Sequence, residues 1–219
     1  MSGSSSYVAS DGAAYEGFIG RWTRRVADRL ATEVPVDAEG PLLDVGCGTG
    51  SLVAALRVRH PARRIVGLDI SEPYLAFARQ RAECEGAELV HGDAQALPFP
   101  DDDFAAAHAL IALNFMTDPL MAAREMVRVV RPGGKVVATS WDFRGGLVYQ
   151  RLLWDTAAGI DPGAAATRDR IFSHPLARPE GMPDLLRAAG LQEVRRDWLT
   201  IRMDFTSFDD YWQPLLGGQ

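Results

Sequence analysis

Seven residues constrain this chain more than any others: Asp44-Val45-Gly46-Cys47-Gly48-Thr49-Gly50. They follow the apolar run Pro41-Leu42-Leu43 and precede residues 51–59, where Leu52, Leu56 and flanking alanines recur at helical spacing. A buried strand that turns through glycines into a helix leaves backbone amides at the helix start, ready to donate to an anion or carboxylate. Glycines let the chain turn tightly and let a ligand approach with no Cβ in the way. A tight strand-to-helix turn with no ligand has the same local pattern, so the motif needs company.

The company is a repeating unit. Residues 64–68 read as a second strand, and Ser71 caps a helix expected over 73–84 with Leu75, Ala78 and Ala82 inward. Residues 88–90 and 104–110 read as the third and fourth strands. Asp118-Pro119 opens a helix with Met121, Met126, Val127 and Val130 inward, which Arg131-Pro132-Gly133-Gly134 closes before a fifth strand at 135–141. Strands alternating with helices imply an α/β fold: a doubly wound, mostly parallel sheet with right-handed crossovers. Ligands of such sheets sit outside the carboxyl ends of the strands, where strand order reverses.

Ahead of this unit, 15–32 is expected to be one amphipathic helix with Phe18, Trp22, Val26 and Leu30 in a stripe. Behind it the pattern loosens. A helix is expected at 145–158, irregular chain at 159–179, a short helix at 183–189, a strand at 194–205, and the start of another helix at 207–212. A chain of 219 residues fits one domain. We divide it into an N-terminal helical lid (1–32), a cofactor-binding core (33–141), a substrate cap (142–180) and a C-terminal helix and strand (181–219).

Charge narrows the partners. Twenty-three basic against 29 acidic residues give a net charge of −6, which argues against a nucleic-acid partner. The longest apolar run, 105–116, is interrupted by His108 and Asn114 and is too short for a membrane span. Two cysteines cannot build a disulfide framework, so a reducing, cytoplasmic setting is expected. No metal is expected, and oligomeric state stays open.

Two further acids join Asp44 at the strand ends. Asp69 ends the second strand, where a carboxylate can accept from both ribose hydroxyls or serve as a cap beside Ser71. Asp93, in Gly92-Asp93-Ala94-Gln95-Ala96-Leu97-Pro98-Phe99, can accept from an exocyclic adenine amine or simply make a turn. Three carboxylates on one edge suit a positively charged ligand. The nicotinamide dinucleotide fingerprint wants glycine at its sixth position, which here is Ser51.

These stretches, with Gly67-Leu68-Asp69-Ile70-Ser71 and Val129-Val130-Arg131-Pro132-Gly133-Gly134, resemble the class I S-adenosylmethionine-dependent methyltransferases. The nearest likeness is to the ubiquinone/menaquinone-biosynthesis-like small-molecule group, over residues 15–141 and more loosely 180–212. The resemblance implies that S-adenosyl-L-methionine is the cofactor and S-adenosyl-L-homocysteine the product. It implies that the backbone of Gly46, Cys47 and Gly48 lines the methionine part, with Asp44 below. Asp69 would hold the ribose and Ile70 pack on the adenine. Asp93, with Ala94 beside it, would take the adenine amine, and the Leu110 carbonyl would take the ammonium. Arg21 would close over the methionine carboxylate. Families of this type usually end in an antiparallel hairpin, and no second strand is expected after 194–205.

The implied reaction is in-line methyl transfer to a small, apolar or aromatic metabolite. Alignment and water exclusion do most of the work, and a base is needed only where the nucleophile carries a proton. The candidates for such a role are His174 and Asn114; His108, His91 and His60 read as core, supporting and surface residues. Trp141, Phe143, Tyr149, Trp154, Phe172, Trp198 and Trp212 suggest an apolar cavity under a cap. The alternative is a cofactor-binding but catalytically silent sensor or scaffold.

Overall fold

Strands buried on both faces read as continuous apolar runs, and the run at 42–45 is flanked on both sides. In the computed structural model, which describes residues 11–217, β1 (Leu42–Val45) pairs in parallel with β2 (Ile65–Asp69) and with β4 (Phe104–Leu110). Beyond them, β3 (Glu88–His91) pairs with β2 and β5 (Val130–Thr139) pairs with β4. The sheet is parallel throughout, with order β3-β2-β1-β4-β5. Strand order reverses between β1 and β4, so the carboxyl ends of these two strands frame the crevice.

Successive side chains of each strand enter different cores. Leu42, Ile65 and Ala106 pack under α2 (Arg21–Glu33) and α3 (Ser51–Arg59). Leu43, Val66 and Ala107 pack under α5 (Pro119–Val129) and α8 (Gly181–Ala188). This alternation fixes register, because a one-residue slip would exchange the two cores.

Helix α4 (Glu72–Arg79) starts as expected, with the Ser71 hydroxyl accepting from the Tyr74 amide at 3.3 Å. It stops well short of residue 84. A separate 3-10 turn, Ala82–Cys84, comes next, and Cys84 rather than Ala82 is the buried residue there. In α5 the inward set is Ala122, Ala123, Met126 and Val129; Met121 is exposed, and Val130 already belongs to β5.

The N-terminal helix is interrupted. After α1 (Gly12–Tyr15), a π turn at Glu16–Gly20 precedes α2. A π turn inserts one residue into the helical count and rotates the helix beyond it. Trp22, Val26 and Leu30 therefore face the core as expected, while Phe18 and Ile19 face a cavity.

Two other expectations fail. Residues 159–179 are mostly helical: α7 (Pro162–Phe172) comes directly after α6 (Val148–Ile160), with Asp161 capping it through the Gly163 amide. A cap residue with proline at the next position is a helix start signal that outweighs the prolines around it. The strand expected at 194–205 pairs with nothing among the described residues. Its apolar positions Trp198, Ile201 and Met203 break the period of two. Instead the Thr200 and Arg202 carbonyls accept from Arg29 and Arg25 of α2, and Leu199 and Ile201 pack on the core. The last described element is α9 (Phe208–Gly217).

Candidate functional site

A cavity of about 730 Å3 opens at the carboxyl ends of β1, β2 and β4. Its floor is the glycine turn. Gly46, Gly48 and Gly50 take φ of +72°, +55° and +83°, in the left-handed region that a side chain resists. A Cβ on Gly46 would lie 2.5 Å from the Ala112 Cβ, and one on Gly50 would lie 2.7 Å from the Cys84 Sγ. The turn thus presses against its neighbours on one side and offers bare backbone on the other.

The three aspartates line this cavity together. Asp44 is buried at the end of β1, and neither oxygen finds a hydrogen bond of ordinary geometry. The Ser51 hydroxyl, also on the lining, is buried without a partner too. Burial pushes the Asp44 carboxyl up to about 8; the charge of Asp69 adds to this, and the Val53 amide works weakly against it. A buried unpaired carboxylate is costly unless a cation or donor meets it.

Asp69 is nine-tenths buried. Its Oδ2 accepts from the Gly48 amide at 2.8 Å and its Oδ1 from the Ser71 amide at 2.7 Å. Burial raises its pKa, and these amides oppose the rise. An ionised carboxylate offers about four acceptor sites, so Asp69 keeps acceptor capacity for a ribose. The Gly48 amide, by contrast, is already used. Asp93 stands at the rim, exposed, with Oδ1 accepting from the Gln95 amide at 2.8 Å.

Cys47, Ile70, Ala94 and Leu110 also line the cavity. Ile70 is two-thirds exposed, so its side chain forms an open lip. His91 supports this edge by meeting the Ile70 carbonyl at 3.0 Å. Burial drives the Cys47 thiol well above its ordinary value, which makes it a packing residue and a poor nucleophile.

Three residues expected at the site lie off the cavity lining. Arg21 does not line the cavity: its Nη1 donates to Asp210 Oδ1 at 2.6 Å, and the guanidinium lies over Trp22 and Phe205. A carboxylate and two ring faces hold it against α9. His174 is also outside the lining; its Nδ1 accepts from the Leu176 amide at 3.2 Å and caps the 3-10 turn Pro175–Ala177. Asn114 is absent from the lining although Phe115 and Met116 beside it are present. Its Oδ1 is buried without a hydrogen bond. His108 is buried in β4, and burial pushes it down to about 4, so it is a neutral core residue.

Among the remaining wall residues, the sequence points to Trp141 and Phe143 alone. Tyr15, Phe18 and Ile19 come from α1 and the π turn, Trp141 and Phe143 lie just beyond β5, and Gln150 and Ile171 come from α6 and α7. Glu16 accepts from the Thr49 hydroxyl at 2.5 Å and pairs with Arg24 and Arg81, pinning the π turn onto the glycine loop. Ile111 has φ +56°, a strained value for a branched residue, where the chain leaves β4 into the cavity. No local sequence signal announces either.

A parallel doubly wound sheet whose switch-point crevice, among the described residues, carries three aspartates and no basic side chain defines a ligand-binding α/β protein. Residues 43–138 match the family described as methyltransferase domain. A demethylmenaquinone methyltransferase of Thermus thermophilus is 35% identical over 193 residues, covering 82% of this chain and 84% of that protein. One of Staphylococcus aureus is 38% identical over 118 residues, 53% of this chain, which spans about half (47%) of that relative. The chain belongs to the class I S-adenosylmethionine-dependent methyltransferases of the menaquinone/ubiquinone-like group. Solved structures described as S-adenosylmethionine-dependent methyltransferases share the fold. One from Methanococcus maripaludis has TM-score 0.61 at 20% identity, covering 87% of this chain and 88% of its own. One from Thermotoga maritima has TM-score 0.55 at 23% identity, covering 83% and 81%.

Proposed function

We propose that the methyl acceptor is a flat, largely apolar aromatic metabolite of the demethylmenaquinone type, bound between the cofactor and the α6–α7 pair acting as a cap. One observation carries this reading. Every charged side chain on the described cavity lining is an aspartate, and all three sit at the ends of β1, β2 and β3. That edge suits the sulfonium and ammonium of S-adenosyl-L-methionine, while the remaining wall is aromatic and aliphatic.

The group supplies a methyl already activated on a positive sulfur. Asp44 and the Ser51 hydroxyl would meet the methionine end, Asp69 the ribose, and Asp93 with Ile70 and Ala94 the adenine. Phe18, Ile19, Trp141 and Phe143 would exclude water and align the acceptor ring, a contribution of roughly 7–11 kcal/mol when geometry is well set. No described histidine lines the cavity, so an acceptor that must lose a proton releases it without a histidine base. The buried free cysteines Cys47 and Cys84, which form no disulfide, fit a reducing compartment. Among the described residues no helix is long and apolar enough to cross a membrane.

The test is transfer of a labelled methyl from S-adenosyl-L-methionine to reduced demethylmenaquinone. Wild type labels it, and Asp69→Ala loses roughly 100-fold in kcat/KM. Binding of the cofactor with no label on any aromatic acceptor would defeat the acceptor class.

A further inference from the structure

Much of the cavity lining is apolar: Phe18, Ile19, Met116, Trp141, Phe143 and Ile171 contribute to it. The few polar side chains around it are mostly spoken for. The Tyr15 and Thr23 hydroxyls lie 3.1 Å apart, and Thr23 also donates to the Ile19 carbonyl at 3.2 Å. The Thr117 hydroxyl donates to Gln95 Oε1 at 3.0 Å. Gln150, on the first turn of α6, differs. Its Nε2 donates to the Tyr149 hydroxyl at 3.3 Å, and no described residue donates to its Oε1.

The amide is also held in place. Tyr149 stacks edge-on against Phe205 at 5.5 Å and Tyr211 at 5.9 Å, so the hydroxyl that receives the Gln150 NH2 group is fixed by a packed aromatic cluster. With its nitrogen directed to Tyr149, the amide of this lining residue keeps an acceptor oxygen to which no described residue donates. An acceptor oriented in advance discriminates by rejecting molecules that leave it unpaired.

Charge decides what the oxygen would take. No described lysine, arginine or histidine lines the cavity, so a carboxylated or phosphorylated acceptor would have no counter-charge there. An amide oxygen and three aspartates would repel an anion but accept from a neutral O–H. We infer that Gln150 is the specificity residue of the acceptor half, its Oε1 accepting a hydrogen bond from a hydroxyl on an uncharged aromatic acceptor. This rests on the methyltransferase reading, which decides which half of the cavity receives the acceptor.

The experiment is calorimetric titration of the full chain, first saturated with S-adenosyl-L-homocysteine, with 1-naphthol and with 1-methoxynaphthalene. The two probes share a ring, and the second lacks the O–H donor. Wild type should bind 1-naphthol roughly tenfold tighter. Gln150→Leu should bring the ratio near one by weakening the naphthol alone. Gln150→Glu, which keeps an acceptor oxygen, should retain the preference. A wild-type ratio near one, no naphthol binding to the loaded protein, or an unchanged ratio in Gln150→Leu would each overturn the inference. Failure of S-adenosyl-L-homocysteine to bind, scored before either naphthalene is added, would overturn the underlying reading as well.

Discussion

Helix α3 and the α6–α7 pair face opposite demands. In α3, Ser51 through Leu56 are all buried, because the helix leaves the glycine turn and runs directly over the sheet. In α6 and α7 no residue is buried, and Val148, Leu152 and Ile160 stand exposed. The first helix is held by a sealed core on the sheet. The second pair is held by each other and by partial contacts around a cavity that must stay open to a ligand. Elements with so few buried contacts fall at the low end of local stability.

The comparison can be broken most sharply at the turn that launches α3. Gly46→Ala places a Cβ against Ala112 at a left-handed φ; we expect a loss of about 2–5 kcal/mol and no measurable cofactor binding. Chemical denaturation and calorimetry would read both, and a variant with normal stability would show that the turn tolerates a side chain. A matched pair of truncations comes next. Leu56→Ala, at a site 1% exposed, should cost about 2–5 kcal/mol, whereas Leu152→Ala, 58% exposed, should stay within about 0.5 kcal/mol. Equal effects would erase the distinction between the two regions.

A further expected effect concerns Asp44 and pH. Its carboxyl titrates near 3.8 in an unfolded chain and is pushed up to about 8 in the folded one. Between these values the folded chain keeps a proton that the unfolded chain has released, so this group's contribution falls as pH rises from about 4 to about 8. Ligand-free wild type should therefore lose melting temperature relative to Asp44→Asn between about pH 5 and about pH 8. The same variant should weaken S-adenosyl-L-methionine roughly tenfold, because the ammonium loses its counter-charge. Parallel melting curves for the two proteins across that range would sink the assignment.

Legibility in the sequence divides along the same line. The strand-turn-helix at 41–59 depends on near neighbours, and its glycines and its apolar spacing are visible in the string of residues. Asp69 and Asp93 are legible because one ends a strand and the other follows one closely, and the carboxyl ends of parallel strands share one edge. Phe18 escapes the helical pattern because a π turn, set by Glu16 reaching Thr49, changes the count. Residues 194–205 have a composition that suits a strand, yet the fold places no partner strand beside them.

The residues alone determined the parallel sheet, the bare backbone turn and three acids along one edge, since each arises from local periodicity or from a steric need for glycine. Tertiary structure decided where Arg21 and His174 go, which aromatic rings face the cavity, and that Gln150 joins its lining. Those outcomes depend on contacts between segments far apart in the chain, such as Arg21 with Asp210, where competing partners of similar strength are settled only by which one the fold brings within reach.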